Sequence, residues 1–89
     1  MDLEYTVYIW QEGDQFVAHA IPLNVMSSGK TVDEARKALD EAVRLFLKTA
    51  EDMGTLEEVL EECGYKFKDG KWISYPWISI ERHSTVLGA

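Results

Sequence analysis

At 89 residues the chain has room for one hydrophobic core and no second domain. Hydrophobic residues make up 46% and charged residues 28%, which excludes the corner of composition where chains stay disordered. A net charge of -7 and a pI near 4.7 have the wrong sign for nonspecific attraction to phosphates, and the single cysteine, Cys63, excludes an internal disulfide and a four-cysteine zinc site.

No apolar run approaches the ~18 residues of a membrane span, and the opening Met1-Asp2-Leu3-Glu4 is acidic where a secretory signal is basic, so a soluble, cytoplasmic protein is expected. So small a core leaves stability marginal, and association of chains into a dimer or higher oligomer is the expected supplement. The charge is uneven: residues 1–32 carry -3, residues 33–62 carry -6 and residues 63–89 carry +2. An acidic middle third suits a basic partner.

Leu3 to Trp10 is dense in β-branched and aromatic residues, with Leu3, Tyr5, Val7 and Ile9 on one face of a period-two strand. Glu12-Gly13-Asp14 is a turn, and Phe16 to Ile21 resumes the extended pattern until Pro22, which predicts a β-hairpin. Val25 to Ser28 predicts a short edge strand broken by Gly29-Lys30. Thr31-Val32-Asp33-Glu34 is a capping box, with Glu34 expected to reach back to the amide of Thr31. The helix it opens carries Ala35, Leu39, Ala42, Val43, Phe46, Ala50 and Met53 as an apolar stripe and stops at Gly54. Thr55-Leu56-Glu57-Glu58 repeats the box before a short helix whose apolar side is Leu56, Val59, Leu60 and Cys63. Tyr65 to Ser74 around Asp69-Gly70 predicts a small hairpin. Beyond Pro76, Trp77 to Leu87 is rich in β formers, with Ile78, Ile80 and Val86 on one side, and predicts a last strand. The order β-β-β-α-(α)-β argues for an α+β fold, a small antiparallel-rich sheet with helices on one face, over residues 1–89.

A hairpin running into Pro22, a short strand, and then Gly29-Lys30-Thr31-Val32-Asp33-Glu34-Ala35 at a helix start is similar to the HicB-like antitoxin family of type II toxin-antitoxin systems. The resemblance covers about residues 3–50. It implies a partial ribonuclease H-like fold that binds and inhibits a HicA-type toxin, a small basic domain that cleaves messenger RNA. Two features depart from the family pattern. Leu23-Asn24-Val25-Met26 stands where many members carry Gly-Cys, and the chain after the long helix reads as a glutamate-rich helix plus strands rather than an appended DNA-binding module. No direct nucleic-acid binding by this chain alone is expected.

Ribonuclease H chemistry needs carboxylates converging on two magnesium ions, one of them from mid-strand, and the middle of the first strand here is Thr6-Val7-Tyr8. Glu4 and Asp14 lie at its fringe and in a turn, so no catalytic residue, metal site or cofactor is expected. His19 and His83 are too few for a metal signal, and Cys63 reads as a small buried hydrophobe rather than a nucleophile. Glu57, Glu58, Glu61 and Glu62, following Glu51-Asp52, form a negative stretch able to meet a basic partner, although glutamates near a helix start are also favoured by its dipole. Trp10 is a candidate interface aromatic, and Trp77, Ile78, Ile80 and Val86 are candidates for contacts between copies of the chain. The sequence thus reads as a non-enzymatic HicB-like antitoxin or antitoxin-derived binding protein. The alternative is a stand-alone homo-oligomer that scaffolds or binds a ligand.

Overall fold

The computed structural model describes residues 1–88. Its elements are β1 (Asp2–Leu3), β2 (Thr6–Glu12), β3 (Gln15–Ile21), β4 (Val25–Gly29), α1 (Val32–Asp52), α2 (Leu56–Glu62), β5 (Lys66–Lys68) and β6 (Lys71–Ile73). The fold is α+β. β2, β3 and β4 form an antiparallel sheet in that order, and a second small sheet runs β1-β6-β5 with β1 parallel to β6.

The hairpin β2-β3 is closed by Gly13-Asp14, with Glu12 opposite Gln15 and Gly13 at φ 61. A positive φ at the first central residue of a two-residue loop matches the strands' twist and comes cheaply only to glycine. Every β2 residue then has a fixed partner: Tyr8 faces His19 and Trp10 faces Val17. Ala18 and Ala20 are fully buried under α1, with Val7 and Ile9 of the neighbouring strand packed beside them. Alternation sends Tyr8, Trp10, Val17 and His19 to the opposite face.

The β4–α1 junction explains the glycine of the Gly-x-Thr-x-x-Glu-Ala stretch. A Cβ on Gly29 would lie 2.6 Å from the Ala35 amide nitrogen and 2.7 Å from Glu34 Cβ, so only glycine lets the strand end meet the helix start. Thr31 caps α1, its hydroxyl oxygen accepting from the Glu34 amide at 3.0 Å. Glu34 reaches back one residue further than expected, its carboxylate accepting from the Lys30 amide at 2.9 Å. Ala35, Leu39, Val43 and Ala50 form the buried edge of α1, while Phe46 is half-buried and Met53 is exposed. The helix ends before the stripe does, because Gly54 at φ 73 turns the chain away at Met53.

Three expectations are corrected. Thr55 makes no side-chain cap on α2; its hydroxyl instead donates to the Ala50 carbonyl at 3.4 Å, closing the turn behind α1. The strand expected over Trp77 to Leu87 is absent, since residues 74–88 join neither sheet. Strand propensity is realised only where a ladder partner exists, and Pro76 at the root of this segment lacks an N–H to start one. The long first strand is likewise divided: Leu3 pairs with Trp72, and β2 starts afresh at Thr6. Its core face survives the division, because Leu3, Tyr5, Val7 and Ile9 all pack against the buried cluster.

Candidate partner-binding surfaces

The face of the β2-β3-β4 sheet away from α1 carries an ordered aromatic group. Tyr8 and Trp10, two apart on β2, stack with ring centroids 5.3 Å apart and planes at 26°. His19 stands edge-on to Tyr8 at 4.9 Å. The Tyr8 hydroxyl bonds to His19 Nδ1, and His19 Nε2 meets Asn24 Oδ1 at 2.7 Å. An amide oxygen only accepts, so Nε2 carries a proton and donates to Asn24, and in the neutral ring Nδ1 accepts from the Tyr8 hydroxyl. Both ring nitrogens are thereby engaged in hydrogen bonds. The imidazole acts as a clamp from β2 through β3 to the β3–β4 turn, where Asn24 holds φ 60. Trp10 in turn donates its indole N–H to Glu12 at 2.9 Å. The result is a rigid aromatic platform with a carboxylate at its rim and Met26, 57% exposed, beside His19.

The sequence points to Trp10 as the interface aromatic of this group and treats His19 only as a weak metal signal. The rest was readable in principle, since the two-residue turn at Gly13-Asp14 fixes Tyr8 opposite His19 on the face the core does not use.

The four glutamates of α2 project from the other side of the molecule. Leu60 of α2 is fully buried in the cluster it shares with α1, which turns Glu57, Glu58, Glu61 and Glu62 outward, all exposed. None of the four enters an ion pair among the described residues, whereas Lys48 of α1 pairs with Glu51 at 3.5 Å and Asp52 at 3.2 Å. The structure therefore separates the expected partner-binding set: Trp10 lies on the open sheet face and the glutamates on the helical side.

Trp77, Ile78, Ile80 and Val86 are exposed by 41%, 89%, 65% and 93%. They belong to an extended arm that passes Glu4–Thr6 across an open groove of about 600 Å³.

Two tyrosine hydroxyls tie distant segments together. Tyr5 donates to Asp40 of α1 at 2.8 Å, and burial first, then that carboxylate, pushes its phenol up to about 12. Tyr65 donates to the Glu4 carbonyl at 2.5 Å, and burial, followed by the charges of Cys63, Tyr5 and Glu4, pushes it to about 12 as well. Burial, then Glu62, raises the Cys63 thiol, so little thiolate is present near neutrality. Among the described residues no three His, Cys, Asp or Glu side chains converge as metal ligands do, and no helix is long and apolar enough to cross a membrane.

Comparison with protein-family models, with curated proteins and with solved structures finds no match to this chain.

Proposed function

We propose that the chain is a HicB-like antitoxin or antitoxin-derived binding protein, non-enzymatic, that neutralises a small basic HicA-type mRNA interferase by covering its active surface. The family part of this reading rests on the residue pattern from Pro22 to Ala35. The physical part rests on one observation: four exposed glutamates on α2, free of ion pairs among the described residues, on a chain of net charge -7. Unpaired surface carboxylates of one sign raise the local potential and steer a basic protein during encounter, and a salt-bridged surface would not. An aromatic platform held by the Tyr8–His19–Asn24 clamp is the kind of rigid, half-exposed surface on which binding energy concentrates.

The test is binding kinetics against the product of an adjacent gene encoding a small basic protein. Association is expected to be fast at low salt and to slow as salt rises, because exposed charges beyond ~8 to 10 Å are screened near physiological ionic strength. Changing Glu57, Glu58, Glu61 and Glu62 together to Gln should slow association while leaving the fold intact, since the apolar side of α2 is untouched. Salt-independent association identical in both proteins would remove α2 from the interaction, and absence of any binding would overturn the reading.

A further inference from the structure

The arm after β6 is a strand without a sheet. Ser79 donates to Glu81 at 2.5 Å and the His83 ring bonds the same carboxylate at 2.9 Å, and these two bonds hold Glu81 below its ordinary range. Residues two apart share a face only in extended backbone, so Ser79, Glu81 and His83 define a polar face and Ile78 and Ile80 point the other way. Ile78, Ile80, Val86 and Leu87 are exposed by 65% to 94%, so nearly all the large apolar side chains of the arm stand in solvent.

The chain also owns an acceptor that it does not use. β2 is an edge of the β2-β3-β4 sheet, so one row of its N–H and C=O groups has no ladder partner. The arm leaves β6 alongside Glu4–Thr6, yet a groove of about 600 Å³ separates the two, and Pro76 at its root offers no N–H to close it.

The surface area sets the size of what is missing. A folded monomer of 10.2 kDa exposes about 5,300 Å² by the scaling of area with mass. This chain exposes 6917 Å². Its radius of gyration is 15.6 Å where about 12 Å is usual for its length. The excess, roughly 1,600 Å², is about twice the ~800 Å² that each partner buries in a standard interface.

We propose that the arm, residues 77–88, adds as a strand to the free edge of β2 in a second copy of this chain, and that the exchange is reciprocal about a two-fold axis. A second copy fits better than a foreign protein because arm and acceptor edge sit on the same polypeptide. Two copies satisfy both at once and close, whereas a foreign partner on the arm leaves β2 open. Strand addition supplies the backbone bonds, and the alternate side chains Ile78 and Ile80 supply apolar contact. The proposal is independent of any toxin partner, so its outcome and that of the proposed function are read separately.

Sedimentation of the full chain at micromolar concentration should give twice the 10.2 kDa monomer mass. Ending the chain before Trp77 should return it to monomer with its helix content intact, and Ile78→Asp with Ile80→Asp in the full chain should do the same. Amide hydrogen exchange locates the acceptor: the outward amides of β2 should be protected in the full chain and exchange at least ten-fold faster in both variants. A monomeric full chain, a dimer that survives both variants, or β2 amides equally protected with and without the arm would each overturn the proposal.

Discussion

At the scale of single residues, the tightest constraint is Gly29. Its hydrogen faces the main chain of the first α1 turn, so Gly29→Ala must push the β4–α1 junction apart against a buried Ala35. Overpacking of this kind costs about 1 to 3 kcal/mol, a large share of a small domain's stability. A urea midpoint unchanged by the substitution would show that the junction is loose. Tyr5 and Tyr65 impose a second residue-scale constraint, on pH. Each phenol stands near 12 folded against 10.0 unfolded, so above pH 10 the unfolded chain sheds protons that the folded one keeps. Stability should therefore be flat with respect to these groups below pH 10 and fall from pH 10 to 12. The fall should end with loss of both donor bonds, to Asp40 and to the Glu4 carbonyl. Phenolate absorbance followed together with circular dichroism checks this, and two tyrosines that ionise at pH 10 without unfolding would contradict it.

At the scale of elements, α1 is the spine, and Leu39 rather than Phe46 is its anchor. Leu39 is fully buried against the sheet, while Phe46 lies half-exposed at a shallow hollow with Thr49, Met53 and Val59. Leu39→Ala should cost about 2 to 5 kcal/mol and Phe46→Ala less, measured by thermal or urea unfolding. The sequence pattern points to Phe46 as the costly rung because a helical stripe reports a face, and only the packed partner decides which rung of it is covered. Local chemistry was legible at the Gly13-Asp14 turn, the Thr31 cap, and the Asp69-Gly70 turn with φ 52 and 78, which follow from their residue types. Pairing between distant segments was not. Nothing in Leu3 to Trp10 announces that Leu3 will run parallel to Trp72, and nothing in Thr55 shows that α1's end will take its hydroxyl from the cap. The arm is the same lesson inverted, since its β propensity is real and the ladder it needs is missing from the single chain. On the functional side, the acidic helix was readable from composition, whereas the aromatic clamp required the hairpin register.

At the scale of the whole molecule, the two candidate surfaces lie on opposite sides of a body measuring 49 × 33 × 22 Å. A standard interface covers ~800 Å² of each partner, a single patch, so one small basic protein does not sit on both. On the proposed function, the roles divide by physics. At low ionic strength, where the screening length reaches ~30 Å at 0.01 M, charge acts across the body and falls on the approach, while a desolvated aromatic acts only after contact. Trp10→Ala should therefore speed dissociation of the basic partner roughly 10- to 100-fold, equivalent to about 1.4 to 2.8 kcal/mol, with association little changed. The four-fold Gln variant of α2 should slow association and leave dissociation alone. Because the sites share no neighbours, the combined variant should show both effects at full size, adding within about 0.5 kcal/mol. Trp10→Tyr, which keeps a ring on the Tyr8 stack, should recover most of the lost residence time. If instead the glutamates govern dissociation and Trp10→Ala changes nothing, the contact belongs to α2, and the open sheet face is left to a different partner.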